Sequence, residues 1–271
     1  MLTDKVRPVC DLEDPDPEDI FSAALGTIFT DDLNNSYGEP GARIVYKSTG
    51  FGDIELQCSN PENVDDRMLF SHYLWNSAVQ VADFFERGEG LWDITGQHVL
   101  ELGAGTGLAG IIAALAGAKE VVISDYPAPE ILSTISTNVT KHVPRVQVVG
   151  HEWGVLTDEF SVSRKHSFSR VLAADCLWMP WQHENLARSI LHFLSADDDA
   201  RAFVIAGFHT GRLKVSGFFN IAAEEGLEVE TIYEQDAEGN KREFVKEKPV
   251  GTEDKAMLKR WLVIAIMRRR R

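Results

Sequence analysis

Long apolar runs are missing from this 271-residue sequence. The longest, residues 108–118, falls well short of the roughly 20 residues that a membrane-spanning helix needs. The first residues, Met1-Leu-Thr-Asp-Lys5, lack the basic-then-apolar order of a secretory leader. Cysteine is scarce as well. Cys10, Cys58 and Cys176 are an odd count, far apart and without Cys-x-x-Cys spacing. That pattern excludes a disulfide framework and a cysteine-ligated zinc site, and reduced thiols in a cytoplasmic protein are expected. Basic residues are too few to balance the acids: 27 Lys and Arg face 42 Asp and Glu, a net charge of −15. So acidic a surface repels phosphate backbones, and neither nucleic acid nor an anionic membrane is an expected partner. No internal repeat and no low-complexity tract is visible. No Ser or Cys has triad partners at a recognisable spacing, so hydrolase chemistry has no support. The closing run from Arg268 to Arg271 reads as a solvated tail, and a cytoplasmic location with a nuclear share is expected.

What remains is the balance of a soluble globular protein, 44% hydrophobic and 25% charged, long enough for one large α/β domain. A monomer or weak dimer is expected. Residues 1–19 hold seven carboxylates and three prolines, too little apolar surface to fold on, and read as a mobile acidic segment. Residues 20–64 read as an N-terminal extension. Within it, 20–29 suggest a short helix or extended piece. Residues 43–47 and 53–57 alternate around a Gly50-Phe-Gly52 turn, as a hairpin lying outside the main core. The main domain spans 65–271. Apolar positions at helical spacing predict a helix over 68–86.

Strands and helices then alternate. Strands are expected at 97–102, 120–124, 145–149, 170–174 and 201–207. The helices between and after them fall at 108–116, 128–142, 182–194 and 214–225. The strands are short and nearly continuous in Val, Ile, Leu and Ala, as when helices cover both faces of a parallel sheet. Residues 227–234 and 259–267 break the rhythm. They read as strands joined by a turn at 236–240 and a charged loop at 243–255, with no crossover helix, so they should pair antiparallel.

The chemistry centres on Val99-Leu-Glu-Leu-Gly-Ala-Gly-Thr-Gly-Leu108. A buried strand runs straight into Gly103, Gly105 and Gly107, and a helix starts at once. Glycines there allow a tight turn and let a ligand lie against bare backbone at the positive helix end. Two ligands compete. Gly105-Thr-Gly107-Leu-Ala-Gly110 satisfies the dinucleotide fingerprint, with Asp125 twenty residues after Gly105. The other reading places Glu101 two residues before Gly103: a carboxylate ill suited to pyrophosphate but able to attract the α-ammonium of S-adenosylmethionine. Asp125 serves either ligand, because both present ribose hydroxyls. An antiparallel end to the sheet is not the dehydrogenase plan, and it decides for S-adenosylmethionine.

Leu74-Trp75-Asn76-Ser77-Ala78, the stretch from Val99 to Gly110, Ser124-Asp125-Tyr126-Pro127, Glu152-Trp153-Gly154 and Ala173-Ala174-Asp175 together resemble family 16 of the seven-strand methyltransferases. That family includes fungal nicotinamide N-methyltransferase-like proteins as well as protein-lysine and protein N-terminus methyltransferases. The resemblance covers about residues 65–210. It implies a Rossmann-like sheet of seven strands, mostly parallel with a C-terminal antiparallel hairpin. It also implies S-adenosylmethionine as cofactor, with Trp75 lying across the pocket and Gly103 and Gly105 against the methionine and ribose portions. Asp125 would accept hydrogen bonds from the ribose hydroxyls, Trp153 would border the adenine and Ala174 would line the pocket. Ala104, Gly107 and Tyr126 complete the expected cofactor contacts.

The acceptor's contacts are expected from Asp175-Cys-Leu-Trp178 and from His209. Protein methyltransferases of the family carry Asp/Glu-x-x-Tyr/Phe at the first of these places. Here Trp178 keeps an aromatic wall, able to face a cationic amine or a flat ring, but lacks the phenolic hydroxyl. The Asp/Asn-Pro-Pro-Tyr/Phe of nucleobase amino-methyltransferases is absent. Strand-end placement puts Asp175 and His209 where ligands bind, able to steer or deprotonate an acceptor, and His183 reads as structural or exposed. The density of aromatic residues (Trp178, Trp181, Phe208) tilts the expectation toward a small-molecule acceptor, methylated on nitrogen or oxygen. The alternative is a protein lysine or N-terminal amine, which the acidic surface would suit. A catalytically silent module that binds the cofactor is a third reading.

Overall fold

The computed structural model describes residues 1–9, 35–249 and 254–271. The element expected at 20–29 and most of the acidic stretch therefore lie outside the described residues, as does Cys10.

The central sheet grows from the apolar strands β6 (His98–Leu102), β7 (Glu120–Asp125), β8 (Gln147–Gly150), β9 (Arg170–Ala174) and β10 (Arg201–Gly207), all mutually parallel. Two long strands follow, β11 (Leu227–Asp236) and β13 (Trp261–Arg269), with a short β12 (Lys241–Glu243) between them in sequence. The spatial order is β12-β11-β13-β10-β9-β6-β7-β8, so the expected seven-stranded sheet carries one extra edge strand. β13 is antiparallel to both β10 and β11, as the missing crossover helix requires.

Alternate residues of each strand bury on opposite faces. Val99, Ile123, Leu172 and Phe203 pack into one cluster with helices α2 (Asn76–Arg87), α3 (Leu108–Leu115) and α4 (Pro129–His142). Leu100, Val122, Val171 and Val204 pack into the other with α6 (His183–Phe193) and α7 (Arg212–Glu225). Short helices α1 (Val64–Arg67), α5 (Glu159–Ser163) and α8 (Lys255–Leu258) complete the set among the described residues. β12 and α8 each overlap the loop expected at 243–255 by a single residue, Glu243 and Lys255.

Four expectations are corrected. The hairpin, β3 (Arg43–Ser48) with β4 (Gly52–Gln57), does not lie outside the core: Ile44, Tyr46, Ile54 and Leu56 belong to the same buried cluster as Val79 and Ile111. Nor are the first residues free. Leu2–Lys5 form a 3₁₀ turn with Leu2 buried, and β1 (Val6–Pro8) pairs antiparallel with β3. The helix expected over 68–86 begins only at Asn76. Phe70 takes a left-handed φ of +54°, and Leu74–Trp75 are extended as β5, paired with Ser36–Tyr37 (β2). Of the apolar residues that mimicked a helical face there, Leu69 and Phe70 line a cleft instead, with Trp75 beside them. Finally, only Arg270 and Arg271 of the arginine run form an exposed end. Arg268 and Arg269 lie in β13, and the Arg269 guanidinium donates to the Leu194 carbonyl (2.7 Å) and the Ser195 carbonyl (3.1 Å) at the end of α6, where helix carbonyls lack intrahelical donors.

The chain leaves β6 outward toward β7 and β8, then returns to β9 on the other side of β6. The carboxyl ends of β6 and β9 are thus the switch point where ligands bind in open α/β sheets.

Candidate functional site

A cleft of about 750 Å³ opens at that switch point, floored by Gly103, Gly105 and Ala174 and walled by Trp75, Trp153 and Trp178. Among the described residues its charged lining groups are Asp125, Glu152 and Asp175, with no Lys or Arg. A diphosphate would meet only carboxylates here; a nucleoside carrying positive charge meets complementary ones.

The glycine loop is shaped for close approach. Gly103, Gly105 and Gly107 have φ of +66°, +58° and +80°, a region costly for any residue with a Cβ. A Cβ at Gly103 would stand 2.8 Å from Cys176 Sγ and 2.9 Å from Trp153 Cζ2. Bare backbone is needed there for Trp153 to reach the cleft floor. Gly107 does not line the cleft; it is the residue before α3, and its N–H donates to the Ala104 carbonyl (2.9 Å). Ala104 is likewise turned away, buried, with its N–H on the Ser124 carbonyl (3.1 Å). Both shape the loop behind the cleft wall.

Asp125 ends β7 at the cleft. Its Oδ2 accepts the Gly105 N–H and its Oδ1 the Tyr126 N–H, each at 2.7 Å. These bonds fix the carboxylate while leaving lone pairs toward the cleft. Burial pushes its pKa up to about 6, against the opposing pull of the two backbone donors. Tyr126, next to it, also lines the cleft.

Glu101 departs from expectation. It is buried and does not line the cleft. Its Oε2 accepts the Gly110 N–H at 2.8 Å, and Oε1 has no partner. A Cβ at Gly110 would meet Oε2 at 2.7 Å, so the glycine is what admits the carboxyl. Burial, with Asp125 nearby, pushes Glu101 up to about 8, against the Gly110 bond. Glu101 therefore pins the start of α3 from beneath, and its burial favours the neutral acid over the anion expected to attract an ammonium.

At the other end of the cleft, Asp175 follows β9 with φ +61°, a conformation Asp tolerates better than most residues. Its Oδ1 accepts the Gly207 N–H (3.0 Å), and His209 Nε2 lies 3.0 and 3.1 Å from its two oxygens. Burial alone would raise the Asp175 pKa, but the His209 imidazolium and the hydrogen bonds carry it net below the usual carboxylate range. The same pairing overcomes burial and holds His209 above the usual histidine value. The two face each other as a hydrogen-bonded carboxylate–imidazole pair, each favouring the charged form of the other. The arrangement places a carboxylate in the cleft where it can steer a cation. A Cβ at Gly207 would strike the His209 ring at 2.5 Å, so that glycine makes its berth. His209 does not line the cleft but packs on Trp75, ring centroids 4.8 Å apart.

Of the expected site residues, the structure thus brings Trp75, Gly103, Gly105, Asp125, Tyr126, Trp153, Ala174, Asp175 and Trp178 to one cleft. Glu101, Ala104, Gly107 and His209 stand behind it. Trp181 is 73% exposed and outside it, and His183 is buried with Nε2 at 3.0 Å from the Leu177 carbonyl, a structural role. Sequence reasoning missed Phe70 and Ser71 on one wall, and His151, Glu152, Met179 and Gln182 on the other. Glu152 adjoins Trp153 in a recognised motif; the rest had no signal of their own. His151, buried against Ser189 (3.1 Å), is pushed down to about 4 and stays neutral.

Residues 63–225 match the sequence profile of a family described as lysine methyltransferase. Over 187 residues the chain is 35% identical to "Protein N-terminal and lysine N-methyltransferase EFM7" of Gibberella zeae, covering 61% of this chain and 69% of that one. The protein of the same name in Schizosaccharomyces pombe is 30% identical over 191 residues, with 65% and 74% covered. Among solved structures, the mitomycin 7-O-methyltransferase MmcR is similar with a TM-score of 0.50 at 15% identity, covering 77% of this chain and 58% of that one. SMU.776 complexed with SAH has a TM-score of 0.52 at 12% identity, covering 85% and 57%. At such identities these two likenesses concern the fold alone.

Proposed function

This chain belongs to the lysine methyltransferase family and is an S-adenosylmethionine-dependent methyltransferase, and from that premise we propose that its acceptor is a protein amine, a lysine Nζ or a chain's α-amine. The names of the relatives favour this acceptor over the small molecule that the aromatic density around Trp178 led us to expect. The observation that carries it in the cleft is the meeting of Trp178 and Phe70 with the ionised Asp175, with no Lys or Arg in the lining among the described residues, an environment for an alkylammonium. The net charge of −15 suits a basic protein partner.

The residues fit the cofactor. Gly103 and Gly105 offer bare backbone on the cleft floor, Asp125 offers an anchored carboxylate, and the lining among the described residues carries no group that requires a phosphate. Asp125 would hold the ribose hydroxyls, Trp153 and Tyr126 would flank the base, and the Gly103–Gly105 backbone would lie against the remainder. When bound, S-adenosylmethionine supplies an electrophilic methyl carbon on a sulfonium. The chain's part is to align the acceptor and exclude water. Asp175, kept ionised by His209, draws the amine in. The amine must shed its proton before it can act as nucleophile. Near pH 7.4 that costs about 4 kcal/mol for a lysine of ordinary pKa ~10.4, and under 1 kcal/mol for an α-amine near ~8. With Asp175 and His209 tied to each other, that proton goes to water.

Incubating the protein with tritiated S-adenosylmethionine and a cell extract, then separating proteins from metabolites, tests the reading. Label on a protein band, lost with Asp125→Asn, is expected. Label confined to metabolites would reject it.

A further inference from the structure

Phe70 ends the turn after α1: its N–H donates to the Arg67 carbonyl at 3.1 Å, and its φ is +54°. That helix-ending left-handed position usually goes to glycine or asparagine, and a bulky residue there is an outlier. The conformation is held from several sides. Trp75 Nε1–H donates to the Phe70 carbonyl at 3.1 Å. The next residue, Ser71, is buried with its hydroxyl 3.2 Å from that of Ser59. The Ser71 and Tyr73 carbonyls pass 3.7 and 3.8 Å from where a Gly105 Cβ would sit, so this strap crosses the glycine loop itself.

The strap delivers a ring. Phe70 meets Trp178 at a centroid distance of 5.3 Å and 86°, and Trp75 at 6.5 Å and 82°, yet is still 42% exposed. A residue buried for stability alone would not be left half in solvent on an unfavourable backbone; strain of this kind collects at ligand clamps.

Resting on the protein-amine reading above, we propose that Phe70 is a specificity-determining residue for the acceptor: its ring and that of Trp178 form a perpendicular aromatic corner, in one cleft with the Asp175 carboxylate, that holds the methylene stem and ammonium of a chain amine. Two ring faces set at right angles contact an alkyl stem on two sides and attract its cationic end, and the carboxylate supplies the opposite charge. A flat neutral ring would stack on one face and gain nothing from Asp175, so the corner selects alkylammonium over heteroaromatic acceptors.

Three variants, F70Y, F70A and F70G, test this with tritiated S-adenosylmethionine and cell extract as the acceptor source, SAH binding by calorimetry, and thermal melting. F70Y should label at close to the wild-type rate. F70A and F70G should label at least 10-fold more slowly at limiting extract and recover part of the deficit at high extract, with SAH Kd within twofold of wild type. F70G should melt above F70A, the reverse of the usual order, because only glycine is at ease at this φ. Wild-type labelling by F70A would overturn the assignment, as would SAH affinity falling in step with labelling, which would make the strap a support for the cofactor. Wild-type label found only on metabolites would refute the protein-amine reading and the assignment of Phe70 with it, whereas protein label undiminished in F70A would refute the assignment alone.

Discussion

Gly103→Ala adds one methyl group at the point where the glycine loop, Cys176 and Trp153 converge. The new Cβ would lie 2.8 Å from Cys176 Sγ and 2.9 Å from Trp153 Cζ2, on a backbone with φ +66°. The left-handed conformation costs an alanine about 1–2 kcal/mol. Overpacking adds roughly 1–3 kcal/mol. Cys176 cannot retreat, being buried with its thiol on the Leu102 carbonyl at 3.3 Å. Trp153 borders the open cleft and can, so the ring should shift into the space the nucleoside needs. The melting temperature should therefore fall by at least about 4 °C, and SAH affinity at least 10-fold by calorimetry. Gly217→Ala is the control. It lies inside α7 with nothing within 4 Å of the added Cβ, and should stabilise by up to about 1 kcal/mol with SAH affinity unchanged. If G103A melted and bound SAH like wild type, the cradle described here would be wrong.

Asp125→Asn would set an amide N–H against the Gly105 or Tyr126 N–H and weaken SAH binding by about 1.5–3 kcal/mol. In the wild type, binding needs the Asp125 anion, so SAH affinity should fall as pH drops through about 6, and a flat profile would contradict this. Glu101, raised to about 8, holds a proton in the folded state that the unfolded chain releases near 4.5. The ligand-free protein should thus gain stability as pH falls from about 8 to 6.5, by at most about 1.4 kcal/mol per unit. Glu101→Gln should flatten that slope in denaturant titrations. His209→Gln removes the imidazole that holds the Asp175 pKa down. It should raise the acceptor KM and move the acid limb of the pH–rate profile upward while SAH Kd stays within twofold; an unmoved limb would sever the link.

The parallel sheet was readable because both of its faces are covered: β9 and β10 coincide with the apolar runs at 170–174 and 201–207 residue for residue. The glycine loop was legible for a similar reason, since Gly103 and Gly105 answer to local backbone demands. The strap was not. Leu69, Phe70, Tyr73 and Leu74 carry the spacing of a buried helix face, and periodicity cannot distinguish residues that line a cleft from residues that pack. Glu101 was misread because its partner is a backbone N–H nine residues on, presented only once α3 forms. The Arg269 contacts depend on where α6 ends, 75 residues earlier in the chain. Sequence spacing holds no trace of that. Cleft membership of Met179 and Gln182 likewise depends on the turn after Trp178 rather than on any local pattern.

A crystal structure of the protein grown with SAH bears most directly on where methyl transfer occurs. The nucleoside should lie at the carboxyl ends of β6, β7 and β9, with its ribose hydroxyls on the Asp125 carboxylate and its base beside Trp153. SAH bound elsewhere, or lying in the cleft with Asp125 unengaged, would contradict the account.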